Sequence, residues 1–373
     1  MKIAVIYGGK SGEHEVSLVS AASIVRNINT AKHDIILIGI AKSGKWFLQN
    51  ETECERVRAD AHAALTVAED ADTLVSIVPG GGTEGLRTKK GTLPVDVVFS
   101  VLHGTYGEDG TIQGLLDMTG VPYTGCSTAS SALTMDKEKT KQIWRESRLP
   151  VLPHVCLKQR DRVNGNGESL QKLMRQAETE FGYPLFVKPC GTGSSVGASK
   201  VSKETELEAA VAEAFRWDDK ILIEPAIDAR EIECSVTGNS VSGGEVTAYT
   251  PGEIKPSHTF YDYDAKYTDP NGAKLCIPAD LSAEQLDVVR KTAVKAYETL
   301  DCSGLSRVDF FIDRKTGNLY LNEINTMPGF TSISMFPKMC EAAGLSYADL
   351  VELIITEGLD RYKARRALKT SRN

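Results

Sequence analysis

The sequence lacks the patterns of a metal-stapled or exported protein. It has eight cysteines but no CxxC pair and no matching pair of histidines, so no zinc site is indicated. We expect reduced thiols, most of them packed as small apolar groups in a reducing compartment. No apolar run reaches the roughly 18 residues of a membrane-spanning helix. The N-terminus also lacks the layout of a signal peptide. Together these absences predict a cytoplasmic protein with no membrane partner.

An excess of positive charge is also missing. Lysine and arginine number 43 against 50 acidic residues, which gives a formal net charge of −7. Without a basic field we expect no nucleic-acid partner and no attraction to an anionic membrane. The hydrophobic share of 41% is ordinary for a globular protein, and 373 residues are enough for two or three domains.

Two common nucleotide-binding fingerprints are absent as well. The chain contains neither GxxxxGKS nor GxxxxGKT, and the glycine turn at residues 8–12 lacks the GxGxxG spacing of a dinucleotide fold. A NAD-dependent oxidoreductase built on this turn is therefore only an alternative. Glu13 follows the turn and begins a helix-like segment, where an anion or an amino acid could bind.

Apolar runs and turn residues divide the chain into α/β elements. A β-like run at residues 2–7, the glycine turn, a helix and a second strand at residues 34–40 predict a parallel α/β sheet. The stretch from about 44 to 90 is less regular and predicts an elaboration of the first domain with exposed loops. Farther on, Ser282 and Gln285 predict a capping box at the start of a helix.

Two segments near the C-terminal end predict a β-hairpin. Residues 307–313 and 319–325 both alternate apolar and polar side chains, and turn residues separate them. With a loop at residues 314–318, Asp313 pairs with Leu319. The polar faces of the two strands then lie side by side.

The same register places Asp309 directly opposite Glu323. Alternation adds Arg307 to the face of Asp309, and Leu321 and Asn325 to the face of Glu323. Carboxylate and amide oxygens are the ligands that Mg²⁺ prefers, whereas the arginine suits an anion such as a phosphoryl group. Taken alone, the hairpin is equally compatible with a solvated structural Arg–Asp pair.

A glycine-rich loop supports the functional interpretation of the hairpin. Residues 188–197 read KPCGTGSSVG, and they follow a short predicted strand that ends at Lys188. Backbone N–H groups of such a loop can cover nucleotide phosphates, which a lysine contacts as a point charge. A glycine-rich loop alone is more often only a loop, so the hairpin and the loop together carry the prediction of an ATP site.

Long motifs in sequence order closely resemble the D-alanine–D-alanine ligases of the ATP-grasp superfamily. The resemblance covers nearly the whole chain and rests on GGKSGEHEVS (8–17), HGTYGEDGT (103–111), MDK (135–137), KPCGTGSSVG (188–197), FYDYDAKY (260–267), SRVD (306–309) and NEINTMPG (322–329).

The resemblance implies an α/β, three-domain ATP-grasp fold. An N-terminal open parallel α/β domain at residues 1–126 would bind substrate. It would be followed by two α+β domains, the central one at 127–223 and the C-terminal catalytic one at 224–373, which clamp ATP between them.

The resemblance also implies an ATP-binding set. Lys137 and Lys188 would contact the phosphates, with Lys188 also near the adenine. Glu224 would hold the adenine amino group, and Glu231 would bind the ribose hydroxyls. Lys266 would contact the γ-phosphate and the carboxylate of the second substrate.

Metal ligands and groups for the reacting carbonyl follow from the same motifs. Asp309, Glu323 and Asn325 would hold two Mg²⁺ (or Mn²⁺) ions. Arg307 and the backbone N–H of Gly329 would stabilise the tetrahedral oxyanion.

Both substrates would be D-alanine. Glu13 would bind the ammonium group of the first, with His103 beside it, and Ser334 would help to bind the second. Ser194 and Tyr267 would join Glu13 in a hydrogen-bonded set that closes a lid at residues 260–267.

The implied reaction joins two D-alanines through D-alanyl phosphate, releases ADP and phosphate, and supplies peptidoglycan synthesis. Alternatives in the same fold make D-Ala-D-Ser or D-Ala-D-lactate, and a further alternative is an ATP-binding module without catalysis. The retained Lys266-Tyr267 pair and the apolar Met335 favour D-alanine. The family is usually homodimeric, so we expect a homodimer.

Overall fold

A four-stranded sheet forms the N-terminal part of the molecule. The computed structural model describes residues 1–163, 167–256 and 273–369. The sheet has the order β3-β2-β1-β7 and consists of β1 (Lys2–Gly8), β2 (Asp34–Ile40), β3 (Trp46–Leu48) and β7 (Val97–Val101). Both β2 and β7 pair with β1 in parallel, which confirms the predicted parallel α/β arrangement.

Three helices and a small three-stranded sheet accompany this four-stranded sheet. The helices are α1 (His14–Asn27), α2 (Thr52–Ala59) and α3 (Thr111–Thr119). The small sheet contains β4 (Ser76–Ile77), β5 (Leu86–Thr88) and β6 (Gly91–Leu93), all antiparallel. The less regular stretch from about 44 to 90 therefore contains β3, α2 and short strands of this sheet, besides exposed turns. Strands of two or three residues are too short to show periodicity in a sequence.

A second four-stranded sheet, antiparallel throughout, forms the middle of the chain. Its order is β10-β9-β11-β8, and it consists of β8 (Val155–Lys158), β9 (Leu185–Pro189), β10 (Ser199–Val201) and β11 (Lys220–Pro225). The helices of this region are α4 (Thr128–Met135), α5 (Lys137–Glu146), α6 (Gln159–Val163), α7 (Glu168–Phe181) and α8 (Glu204–Ala214).

The largest sheet follows, and it too is antiparallel. It has the order β15-β14-β12-β16-β17, with β13 paired to β12. Its strands are β12 (Ala229–Asn239), β13 (Thr247–Ala248), β14 (Gly252–Pro256), β15 (Ala273–Cys276), β16 (Ser303–Asp313) and β17 (Leu319–Asn325). Its helices are α9 (Ala283–Thr299), α10 (Met335–Ala342) and α11 (Tyr347–Arg366). The capping box of Ser282 and Gln285 is present at the start of α9, as predicted.

The C-terminal helix α11 completes the core of the N-terminal sheet. Leu350 and Ile354 of this helix are fully buried in the same apolar cluster as Ile3 and Phe99. Near the end of the helix, Arg361 stacks on the ring of Tyr123, which follows α3 in the sequence. The first and last parts of the described chain therefore share one hydrophobic core. Within residues 1–163, 167–256 and 273–369, no helix has the length and apolar character needed to cross a bilayer.

A β-bulge reshapes the predicted hairpin. Asp309 pairs with Glu323 as predicted, but the next residue, Phe310, pairs with Leu321, so Asn322 is the extra residue of β17. The predicted pairing of Asp313 with Leu319 is wrong for this reason.

The bulge also changes which side chains share a face. Leu321 is fully buried in the apolar core together with Ile324, so its assignment to the face of Glu323 and Asn325 is wrong. One extra residue reverses the alternation of side chains. As a result, two adjacent residues, Asn322 and Glu323, both contact lysines of the site rather than the core.

Candidate active site

Arg307 and Asp309 lie at the centre of the hairpin face. Nε and Nη2 of Arg307 donate to the two carboxylate oxygens of Asp309, each at 2.7 Å, and Nε lies 3.2 Å from Glu233. Nδ2 of Asn325 donates to Asp309 at 2.9 Å. Burial tends to lower the pKa of Arg307, but Asp309 and Glu233 raise it well above its ordinary value. The guanidinium is therefore a permanent charge beside the carboxylate.

Lys137 contacts the second carboxylate of the hairpin. It is the first residue of α5, whose N-cap Asp136 accepts two amide N–H groups of the first turn. The Lys137 ammonium lies 3.1 Å from Oε2 of Glu323 and donates to the carbonyl of Thr192 at 2.7 Å. Burial lowers the pKa of Lys137, yet Glu323 outweighs this effect and raises it. Lys137 thus connects the hairpin with the glycine loop.

Lys188 is held between two sheets. It lies on β9, where its Nζ is 2.8 Å from Oε2 of Glu224 on the neighbouring strand and donates to Oδ1 of Asn322 on β17 at 3.0 Å. The other oxygen of Glu224 lies 2.7 Å from Nζ of Lys141. Burial tends to raise the pKa of Glu224, but the two lysines outweigh it and lower the pKa to about 2. Glu224 is therefore an ionised acceptor.

Lys141 and Asn322, which contact Glu224 and Lys188, were not predicted from the sequence. Lys141 lies four residues after Lys137, so α5 presents both side chains on one face, and this spacing is a signal that the sequence carries. Asn322 had no such signal, because only the bulge turns it towards Lys188. The spacing of a regular strand would have directed Asn322 away from Glu323.

Ser194 joins the glycine loop to the N-terminal part of the molecule. Its hydroxyl donates to Oε1 of Glu13 at 2.5 Å, across 181 positions of sequence. Ser194 and Ser195 have φ values of +53° and +59°, in the left-handed region that favours glycine. At the start of the loop, the N–H of Gly191 donates to Asp218 at 2.6 Å. Contacts outside the loop thus hold its backbone in a costly conformation.

His103 is buried and lies close enough to Glu13 to feel its charge. Its ring nitrogens lie 2.9 Å from the carbonyl oxygen of Met327 and 3.0 Å from the hydroxyl of Ser20. Burial lowers the pKa of His103 below its ordinary value, so the ring is neutral near pH 7. The next residue, Gly104, has a φ of +70°, and a Cβ there would lie 2.5 Å from Oε2 of Glu13. The turn after β7 therefore approaches Glu13 too closely for any side chain at position 104.

Glu108 is a further residue of this turn, and the sequence analysis assigned it no role. Its carboxylate accepts the N–H of Gly104 at 2.7 Å and the N–H of Met327 at 3.0 Å. Burial and the charge of Glu13 raise the pKa of Glu108 to about 8. Glu108 thus connects the N-terminal part of the site with the loop that follows the hairpin.

Gly329 and Ser334 lie next to each other in that loop. A Cβ on Gly329 would lie 3.1 Å from Oγ of Ser334, which accepts the N–H of Thr331 at 3.0 Å. Glu231 lies on β12, paired with β14 on one side and β16 on the other. Lys266 and Tyr267, with the predicted lid at residues 260–267, lie outside the described residues.

The hairpin has the donor chemistry for a hard cation. Asp309 and Glu323 are adjacent across two strands, and Asn325 adds an amide next to Asp309. Their present partners, Arg307 and Lys137, are cations that phosphate groups would attract. No cluster of three or more His, Cys, Asp or Glu side chains with metal-binding placement occurs within residues 1–163, 167–256 and 273–369. Two carboxylates and one amide nevertheless fit Mg²⁺, which keeps several waters and binds substrate phosphates.

The two antiparallel sheets meet where Lys188 of β9 donates to Asn322 of β17. A family model described as D-ala D-ala ligase N-terminus matches residues 2–126, and one described as D-ala D-ala ligase C-terminus matches residues 143–356. The chain belongs to the D-alanine–D-alanine ligase family.

Similar proteins cover the full chain. The D-alanine–D-alanine ligase of Treponema denticola is 54% identical over 373 residues, which is 100% of both chains. That of Treponema pallidum is 45% identical and covers 99% of this chain and 90% of its own.

Solved structures agree with the fold. The D-alanine-D-alanine ligase from Coxiella burnetii aligns with a TM-score of 0.81 and 35% identity, covering 98% of this chain and 96% of its own. The VanG D-Ala:D-Ser ligase from Enterococcus faecalis aligns with a TM-score of 0.82 and 38% identity, covering 96% of this chain and 99% of its own. The predicted ATP-grasp fold is confirmed.

Proposed function

We propose that this enzyme joins two D-alanines with ATP, releasing D-alanyl-D-alanine, ADP and phosphate for peptidoglycan precursor synthesis. One observation carries the proposal: Glu13, the glycine loop, Lys137 and the carboxylate hairpin form a continuous chain of contacts. Ser194 of the loop binds Glu13, and Thr192 of the same loop binds Lys137, which pairs with Glu323. Family membership supports both the use of ATP and the ligase activity.

ATP would bind between the middle sheet and the large sheet. Lys137 and Lys188 provide positive charge for the phosphates, with Lys188 also near the adenine, and Glu224 would hold the adenine amino group. Glu231 would bind the ribose hydroxyls. Lys266 would contact the γ-phosphate and the carboxylate of the second substrate. The ionised state of Glu224 and its placement beside Lys188 support this assignment.

The first D-alanine would bind beside Glu13. The carboxylate of Glu13 is suited to an ammonium group, and its hydrogen bond to Ser194 fixes it in position. His103 lies behind it as a neutral ring, and Tyr267 would complete the hydrogen-bonded set as the lid at residues 260–267 closes. A closed lid would exclude the water that hydrolyses acyl phosphates.

The reaction would proceed in two steps. A carboxylate oxygen of the first D-alanine bonds to the γ-phosphorus of ATP as the bond to the bridging oxygen of ADP breaks, which gives D-alanyl phosphate. The second D-alanine, whose carboxylate Lys266 and Ser334 would bind, loses one proton of its ammonium group to water, and its free amine then bonds to the acyl carbon. Phosphate leaves with the electrons of the broken C–O bond and takes up the second proton that the nitrogen loses.

The developing negative charge would be stabilised by fixed groups of the chain. Arg307, a permanent cation, and the backbone N–H of Gly329 would face the oxyanion. Asp309, Glu323 and Asn325 would hold two Mg²⁺ or Mn²⁺ ions. When bound, these ions would neutralise charge on the phosphates of ATP.

The proposal extends to organisation and location. Residues 1–126 would form the substrate-binding domain, and residues 127–223 and 224–373 the two parts that clamp ATP. We propose a cytoplasmic homodimer, as is usual for the family.

A D-Ala-D-Ser ligase is the second candidate, because the VanG D-Ala:D-Ser ligase has a similar fold. Met335 argues for D-alanine. Its side chain is buried in an apolar cluster with Ile254 and Met339, and its methyl group contacts Gly252. An apolar residue directly after Ser334 is the feature that favours D-alanine as the second substrate.

An ADP-release assay tests the function. The wild-type enzyme, ATP, Mg²⁺ and single D- or L-amino acids should give rapid ADP release with D-alanine alone. In a mixture of D-alanine with equal D-serine or D-lactate, D-alanyl-D-alanine should dominate by mass spectrometry. Predominance of a mixed product would overturn the D-alanine assignment.

A further inference from the structure

Lys141 is a fully buried cation with no role in the proposed reaction. Its side chain is 0% exposed, and it lies on α5 one helical turn after Lys137. Its Nζ lies 2.7 Å from Oε1 of Glu224. A buried ammonium group is costly unless it is paired, so the pair with Glu224 is what makes this position tolerable.

Glu224 is shared between two lysines, one at each oxygen. Lys141 approaches Oε1, and Lys188 approaches Oε2 at 2.8 Å. A carboxylate anchored at both oxygens has one orientation, whereas a carboxylate anchored at one oxygen can rotate. The three side chains carry a net charge of +1, which favours an anionic ligand in the cleft.

In the proposed ATP site Glu224 would hold the adenine amino group, and Lys188 would contact the phosphates and approach the adenine. An ammonium group has three N–H donors, and here Glu224 and Asn322 accept two of them. The position of Glu224 therefore determines the direction of the third donor. Without Lys141, the carboxylate could turn both oxygens towards Lys188 and draw its ammonium away from the nucleotide.

We propose that Lys141 is a positioning residue for nucleotide binding, which acts through Glu224 on Lys188. The inference rests on the proposed ATP site, but it adds a residue that does not touch the nucleotide. A buried ion pair contributes little net stability compared with well-packed apolar groups, so orientation is the better explanation for a lysine here.

The test substitutes Lys141→Met, which keeps an unbranched side chain, one atom shorter, and removes its charge. Lys139→Met is the matched control, because Lys139 lies on the same helix with a side chain that is 45% exposed. Calorimetry would measure the dissociation constant of a non-hydrolysable ATP analogue for wild type and both variants. Steady-state kinetics would give kcat and KM for ATP and for D-alanine. Lys188→Met and the double variant complete a thermodynamic cycle.

Lys141→Met should weaken binding of the analogue by about tenfold to a hundredfold, the effect of one misplaced hydrogen bond to a charged group. KM for ATP should rise with it, while kcat and KM for D-alanine stay within about twofold and the Lys139→Met variant resembles wild type. The double variant should lose less than the sum of the two single losses, since Lys141 acts through the same carboxylate that positions Lys188.

Two results would overturn the proposal: unchanged binding of the analogue by Lys141→Met, or additive losses in the double variant. If Lys141→Met does not fold, Lys141→Gln gives the same measurements with an uncharged donor. Failure of both variants to fold would assign Lys141 to folding and overturn the proposal as well. Binding is measured without D-alanine, so a wild-type enzyme that binds nucleotide but makes no dipeptide would contradict only the proposed function.

Discussion

Ser194→Ala tests the link between the glycine loop and the first substrate. The substitution removes the hydroxyl that donates to Glu13 at 2.5 Å. A hydrogen bond to a charged group contributes about 1.5–3 kcal/mol, which corresponds to roughly 10- to 150-fold. Alanine also keeps the positive φ at position 194, which costs about 1–2 kcal/mol. The bond that offsets this cost is lost, so the loop should leave Glu13.

The expected result is a fall in kcat/KM for D-alanine of about tenfold to a hundredfold, with KM for ATP changed much less. Coupled ADP release at varied D-alanine measures it. Ser202→Ala, an exposed serine beyond the next strand, is the control and should match wild type. A Ser194→Ala enzyme with wild-type kcat/KM for D-alanine would refute the reasoning, as would equal losses for ATP and D-alanine.

Three further predictions concern the same cleft. Gly104→Ala should raise KM for D-alanine, because the added Cβ would lie 2.5 Å from Oε2 of Glu13 in a backbone of positive φ; an unchanged KM, by the same ADP assay, would contradict this geometry. Glu323→Ala should abolish turnover by removing a proposed metal ligand and the partner of Lys137; near-normal phosphate release at saturating Mg²⁺ would remove Glu323 from the site. The folded-state pKa of His103 lies below its unfolded value of 6.5, so the unfolded chain binds the proton first as pH falls. The contribution of the neutral ring to the free energy of unfolding should be complete above pH 6.5 and should decline as the pH falls below it. Denaturation in urea at pH 7 and pH 5 should therefore show a smaller loss of unfolding free energy for His103→Gln than for wild type, and equal losses would be inconsistent with a buried neutral ring.

Local patterns were enough to predict much of the fold and part of the hairpin. The glycine turn after the first strand and the parallel partner at residues 34–40 follow from periodicity and turn chemistry, and the structure has both. The opposition of Asp309 and Glu323 follows from alternation along two strands joined by a short turn.

Features that depend on tertiary contacts could not be predicted in this way. The bulge at Asn322 adds one residue to a strand without any local sequence mark, and it moves Leu321 into the core. The pairing of Lys141 with Glu224 joins a helix to a strand far away in sequence, so its burial appears only when the sheet is assembled. For the same reason, the contact of Ser194 with Glu13 could be inferred from family resemblance but not from spacing.

The central claim is that this cleft activates D-alanine with ATP. The most direct measurement is ADP release by the wild-type enzyme with Mg²⁺ and D-alanine, with mass spectrometry of the product. One D-alanyl-D-alanine should form for each ADP released, and little ADP should appear when D-alanine is replaced by L-alanine. Release of ADP without dipeptide formation, or no release dependent on D-alanine, would contradict it.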